Sequence, residues 1–308
     1  MIGVPFYGNR KMREPLFQLM KPQPVYDVAI IGSGAAGGMT AHALIAQGFN
    51  VLMLEAGPLR SLREFPIHRV RRWNFPCRAV RGGLGQQKPN CAEVELAKAA
   101  EALPGRGLKE LPIPKAILPV DHHGRPCCHH CGPCWQGCDS GSKFDSLRVF
   151  VQTAQRTGKL TLLVGARVRS LALNRDNRIQ SAHYWDVKDR TYREVRARTF
   201  VLAAGCIEST QILLNSEVAN SSGLVGHYLS EHLYGAVGGY LPQLMGRPTT
   251  NEDSNGSNVF IPDLARNWRG SEFIRGYQIY PAGGIPDTTF VGLNIPGFGQ
   301  AWKKKSRE

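Results

Sequence analysis

The tightest constraint on this chain is a glycine-rich turn, Gly32-Ser33-Gly34-Ala35-Ala36-Gly37, set between an apolar run and a helix-forming stretch. Val25–Ile31 is rich in β-branched residues and bounded by Pro24 and Gly32, so it reads as a buried parallel strand. Ala35–Gln47 carries small and apolar residues at helical spacing. Asn50–Leu54 reads as a second strand that ends at Glu55. Each glycine has a job in a dinucleotide site. Gly32 permits the tight turn, Gly34 lets backbone approach a pyrophosphate, and Gly37 lets the helix pack on the strand. The helix N-terminus, with Ser33, Ala35 and Ala36 in the turn, offers unpaired N–H groups and a partial positive charge. Glu55, 23 residues after Gly32, is placed to accept hydrogen bonds from a ribose. The pattern predicts a site for the ADP half of a dinucleotide.

Two features favour FAD over NAD. The fold begins near the N-terminus, and Glu55 leads into Ala56-Gly57. Farther along, Thr199–Gly205 forms a strand ending in Ala203, Ala204 and Gly205, small enough to pass close to the dinucleotide from the far side of a meander. The expected fold class is α/β: a Rossmann-like FAD-binding domain with a parallel sheet and an antiparallel meander, plus part of a β-rich substrate domain.

The remaining elements follow from local pattern. Residues 1–24 read as an irregular arm with Pro5, Pro15, Pro22 and Pro24. Ala92–Ala102 and Asp145–Thr157 read as helices, Leu160–Val168 as a strand, and Arg169–Arg198 as a meander turning at Asn174–Asn177. Thr199–Ala204 reads as a separate buried strand and Glu208–Asn215 as a helix. From Leu233 onward short strand-like pieces, Ala236–Leu241 and Phe273–Tyr280, suggest a second domain. The expected division is an arm (1–24), an FAD-binding domain (25–232) that includes the cysteine segment 127–138, and a partial substrate domain (233–308).

Composition narrows the class. Apolar residues make up 42% and charged residues 20%, which excludes a disordered chain. There is no run of 18 apolar residues to span a membrane and no secretory signal in Met1–Lys21. The net charge of +14 is partly local, with seven arginines between Arg60 and Arg81 and a terminal group of Lys303, Lys304, Lys305 and Arg307. No nucleic-acid module or stacking platform accompanies them. They read as solvated or phosphate-facing surface, and no nucleic-acid partner is expected.

Five of the eight cysteines fall within twelve residues. Cys128, Cys131, Cys134 and Cys138 have ferredoxin-type spacing, though Asp139 replaces the usual proline. Three readings stand: an iron–sulfur cluster, zinc with His129 or His130 nearby, or no metal. In a chain without a signal peptide the cluster favours ligands over a disulfide framework.

Together, residues 26–57, 131–143 (CGPCWQGCDSGSK), 158–168 (GKLTLLVGARV), 198–216 (RTFVLAAGCIESTQILLNS) and 221–232 resemble the glucose–methanol–choline (GMC) flavoprotein oxidoreductases. The resemblance is nearest to bacterial sugar or alcohol dehydrogenases. It implies an FAD enzyme that oxidises a CH–OH group of a sugar or alcohol by hydride transfer to the flavin. It also implies that Val168 meets the adenine through its backbone, and that Ala204 and Gly205 line the cofactor. Cys128, Cys134 and Cys138 resemble the three-cysteine pattern of the family's cluster-bearing dehydrogenases. Some of these relatives reach the periplasm with a small subunit, so the expected compartment is cytoplasm, or periplasm with such a partner; an electron acceptor protein is implied as well.

Two departures accompany the resemblance. The flavin-packing Gly-Gly loop has at best a remnant in Arg81-Gly82-Gly83. The family's catalytic His–His or His–Asn pair lies near the end of a longer chain, and none of the nine histidines matches it. The catalytic residues are therefore unknown, His227 and His232 reading as surface or structural. The alternative function is a non-catalytic flavin or iron–sulfur electron-transfer subunit, or a truncated fragment. An NAD enzyme is disfavoured by Thr199–Gly205.

Overall fold

The computed structural model describes residues 25–59, 89–103, 110–113, 115–130, 134, 137–138, 140–239, 241–244, 259–262, 277–281 and 300. The N-terminal arm, the arginine run, Arg81-Gly82-Gly83, Cys77, Cys131, Asp139 and the terminal lysines lie outside them.

The chain forms two compact units, each discontinuous: Met1–Arg60 with Asp145–Leu233, and Ser61–Phe144 with Tyr234–Glu308. This differs from the contiguous division expected above. The cysteine segment groups with the C-terminal part of the chain and not with the glycine-rich turn.

The first unit is built on one six-stranded sheet in the order β4-β2-β1-β7-β6-β5. Its strands are β1 (Tyr26–Ile31), β2 (Val51–Glu55), β4 (Leu160–Val164), β5 (Ala166–Leu173), β6 (Ile179–Asp186) and β7 (Thr191–Leu202). Helices α1 (Ala35–Ala46), α3 (Gln152–Gln155) and α4 (Cys206–Ser216) complete it. β4, β2, β1 and the end of β7 run parallel, while β5 and β6 form the antiparallel part.

Both faces of the central strands are covered, which is why their sequences are continuously apolar. Ala29, Ile31, Leu52 and Leu54 point to one side, where they pack with Val195, Ala197 and Ile212 of α4. Val28, Ile30, Val51 and Met53 point to the other, against Ala41 and Ile45 of α1 and Val151 and Ala154. The alternation of strand side chains thus feeds two cores.

Three expectations shift in detail. The strand expected over 160–168 breaks at Gly165, whose φ of +69° few other residues adopt. β4 before it pairs with β2, and β5 after it pairs with β6. Conversely, Thr199–Ala204 is not a separate strand. Thr199–Leu202 is the end of the 12-residue β7, which pairs with β6 over Thr191–Arg196 and with β1 over Ala197–Leu202, and Ala203 and Ala204 follow it outside the strand. The helix expected over 145–157 opens with a π-helical turn, Leu147–Val151, before α3. Just ahead of that turn, the Ser146 hydroxyl donates to the Gly34 carbonyl at 2.9 Å. A Cβ on Gly38 would lie 1.9 Å from the same hydroxyl oxygen, so Gly38 permits this approach.

In the second unit, α2 (Cys91–Glu101) starts with a reciprocal cap: the Asn90 side chain accepts from the Glu93 N–H, and the Glu93 carboxylate accepts from the Asn90 N–H. β3 (Leu111–Pro112) pairs antiparallel with β8 (Val259–Phe260). The Arg125 guanidinium donates to the carbonyls of Gly141, Ser142 and Lys143, tying the 122–125 turn to the cysteine segment. Residues 236–239 are irregular and not the strand expected there; of 273–280 the described part contributes an isolated bridge, Ile261 to Ile279. Among the described residues no helix is long and apolar enough to cross a membrane.

Ile30 is fully excluded from solvent, whereas Ile207 on α4 is 67% exposed. Ile30→Ala is expected to lower stability by about 2–5 kcal/mol in urea unfolding. Ile207→Ala is expected to stay within about 0.5 kcal/mol of the parent.

Candidate functional site

The turn after β1 is shaped by backbone contacts that exclude any side chain. Gly32 has φ +104°, and a Cβ there would sit 2.4 Å from the Ala203 carbonyl oxygen. Its N–H donates to the Leu54 carbonyl at 2.8 Å, and the Ala203 N–H donates to the Ile31 carbonyl at 2.8 Å. The ends of β1, β2 and β7 are thereby drawn together. A Cβ on Gly37 would lie 2.0 Å from the Gly32 carbonyl oxygen, so α1 rests directly on the turn. Gly34 differs: nothing lies within 4 Å of the corresponding point. Of the three glycines, two sit against backbone and one faces open space.

That open space is a cleft of about 920 Å³. Its lining includes Gly32, Ser33, Gly34, Ala35, Ala36, Glu55, Ala56, Val168, Ala204 and Gly205, ten of the eleven cofactor residues expected from sequence. Gly37, the eleventh, is buried within α1 where the helix rests on the turn, and does not line the cleft. Val168 arrives from β5, beside a register shift in the β5–β6 pairing between Val168 and Ser170. Sequence reasoning missed Arg167, Glu208, Ser209 and Gln211, which also line it. An exposed position beside Val168 and the first turn of the helix after Gly205 were the available signals.

The cleft is electrostatically uneven. α1 is capped by Gly34 with no side-chain cap and no acid in its first turn, so its N–H groups and partial positive charge are uncompensated. α4 follows its N-cap Gly205, φ +89°, and carries Glu208 in its first turn. An anion in this cleft is therefore favoured at α1 over α4.

Glu55 is held at the end of β2. Its Oε2 accepts from the Ser33 N–H at 3.0 Å and the Ser33 hydroxyl at 2.5 Å, and its Oε1 accepts from the Gly57 N–H at 2.7 Å. Burial alone would raise the Glu55 carboxyl. The Ser33 hydroxyl and the N–H groups of Gly57, Ser33 and Ala56 outweigh it and hold the group below its ordinary range. An ionised acceptor beside an uncapped helix N-terminus suits a ligand that carries a polyol next to an anion. The donor set and the opening at Gly34 fit a nucleotide diphosphate.

In the second unit, Cys128, Cys134 and Cys138 are half-buried, and Cys127 is disulfide-bonded. Burial pushes Cys128 and Cys134 up. Burial also opposes ionisation of Cys138, but contacts with the Ser140 and Ser142 hydroxyls and the Lys143 and Gly141 N–H groups bring it below its ordinary value. Among the described residues no three His, Cys, Asp or Glu side chains are gathered to hold a metal ion. His227 and His232 are exposed, the latter paired with Glu231.

Known proteins resemble the chain in the following respects. The family profile described as GMC oxidoreductase matches residues 93–234. Paromamine 6'-oxidase of Streptomyces fradiae is 35% identical over 69% of this chain and 56% of its own. The fructose dehydrogenase large subunit of Gluconobacter japonicus is 29% identical over 41% of this chain and 24% of its own. The chain thus spans about half the length of the first of these relatives or less. The crystal structure of pyridoxine 4-oxidase from Mesorbium loti aligns with 62% of this chain and 52% of its own at TM-score 0.35 and 19% identity.

Two outcomes test the site's construction. Gly37→Ala is expected to cost about 1–3 kcal/mol or more, and Gly34→Ala about 1 kcal/mol or less, in urea unfolding. Because Glu55 sits below its ordinary value when folded, its stabilisation is full above the ordinary carboxylate range. It is lost as pH falls through that range toward the folded value. Glu55→Gln is expected to flatten that acid limb in unfolding measured against pH.

Proposed function

The chain belongs with the GMC oxidoreductases over residues 93–234, and from that premise we propose that it holds FAD in this cleft and serves the oxidation of a CH–OH group on a sugar or alcohol. The observation that carries the proposal is the pairing of an open, uncapped helix N-terminus at Gly34 with an ionised Glu55 one strand away. Residues Gly34, Ala35 and Ala36 present N–H groups to the pyrophosphate, and Glu55 accepts from the ribose. Val168 and Arg167 border the adenine end, and Ala204 and Gly205 close the far side. The flavin, when bound, supplies the hydride acceptor. The names of the relatives, an oxidase of paromamine and a dehydrogenase of fructose, support a sugar-like hydroxyl as the donor class.

A second reading, a flavin-holding electron-transfer subunit, is favoured by one observation. The cleft lining contains no histidine among the described residues to take the hydroxyl proton. The cysteine segment fits either reading, with a small subunit or an acceptor protein as partner.

Apo protein mixed with FAD is expected to retain yellow flavin absorbance through gel filtration. A colourless protein that takes up no FAD overturns the proposal. Turnover of sugars and polyols with an artificial electron acceptor, by the chain alone and with a co-encoded partner, separates the enzyme from the electron-transfer subunit. On the iron–sulfur reading, anaerobically purified protein carries iron and acid-labile sulfide, and Cys138→Ala removes them.

A further inference from the structure

The hydrogen bonding of Glu55 carries an inference about how the sugar is admitted, and it rests on the nucleotide reading of the cleft. A carboxylate has about four acceptor positions. The protein itself fills three of them: Oε2 takes both the hydroxyl and the N–H of Ser33, and Oε1 takes the N–H of Gly57. Two of these donors are backbone groups, fixed by the turn and the strand end. The third, the Ser33 hydroxyl on Oε2, turns on a single rotatable bond. The Gly57 side is crowded, since a Cβ there would come within 3.2 Å of Oε1, whereas the Gly34 side is open.

We propose that the Ser33 hydroxyl is an internal stand-in for a ribose hydroxyl: it satisfies Glu55 when no nucleotide is bound and yields its place to the sugar. Ser33 is then a positioning residue. Binding exchanges one hydroxyl donor for another and adds none. A ligand lacking the hydroxyl loses little, because Ser33 keeps its bond. Without the serine hydroxyl, the same ligand leaves an ionised, half-buried carboxylate short of a donor, and the penalty appears in full.

The test is calorimetric titration of the apo chain with ADP, 2'-deoxy-ADP and 3'-deoxy-ADP. For the wild type, both deoxy ligands are expected to bind within about 3-fold of ADP. For Ser33→Ala, the ligand lacking the hydroxyl that Glu55 takes is expected to bind about 10-fold or more weaker than ADP. Ser33→Thr, which keeps a hydroxyl, is expected to restore the wild-type ratio. The acid limb of ADP binding is expected to move to higher pH in Ser33→Ala, since Glu55 has lost a donor that favours its ionised form. A merely structural role for Ser33 leaves both the deoxy ratio and that limb in place. Equal deoxy penalties in wild type and Ser33→Ala overturn the proposal while leaving the nucleotide site standing. A wild-type penalty of about 10-fold does the same, even if Ser33→Ala does not fold. Absence of ADP binding to the wild type overturns both.

Discussion

The contact on which the first unit depends is the meeting of three backbone segments at Gly32. The carbonyl of Ala203 lies where a Cβ on Gly32 would be, and the carbonyl of Gly32 lies where a Cβ on Gly37 would be. Hydrogen bonds from Gly32 to Leu54 and from Ala203 to Ile31 lock the ends of β1, β2 and β7 in register. The contact sets where α1 begins and therefore where its unpaired N–H groups point. It also brings Ala204 and Gly205, some 170 residues along the chain, to the rim of the same cleft. A side chain at either packing glycine would separate these segments before any ligand arrived.

Electrostatics then divide the cleft. Two helices begin on it, but only α4 brings its own acid, Glu208. The positive end of α1 is left for an external anion. Glu55 stays ionised despite partial burial because four nearby donors outweigh the desolvation that opposes charge. A diphosphate and the sugar beside it are thus met by opposite electrostatic devices a few residues apart, which is the chemistry expected of a nucleotide carrier and the basis for the flavoenzyme proposed here.

Much of this arrangement is legible in the residues because it rests on local pattern. Continuous apolar runs before and after a glycine turn locate β1, α1 and β2 almost to the residue. Small residues at 203–205 mark a second approach. Less legible is how strands change partners. The shift of β7 from β6 to β1 midway along twelve residues leaves no break in composition, so Thr199–Ala204 looks like an element of its own. The break at Gly165 is the converse, one glycine dividing what reads as one strand. Ser146 and Gly38 form a contact across more than a hundred residues that no local spacing announces.

By itself, the sequence determined the glycine-rich turn, the elements on either side and the acid that follows, since each depends on steric and propensity rules acting within a few residues. Tertiary structure alone decided which carbonyls Gly32 and Gly37 must clear, that Arg167 and Glu208 share the cleft, and that Ser33 closes on Glu55. It also decided that the cysteine segment groups with the C-terminal part of the chain and not with the turn. Those outcomes depend on groups brought together by folding, whose distances no spacing along the chain encodes.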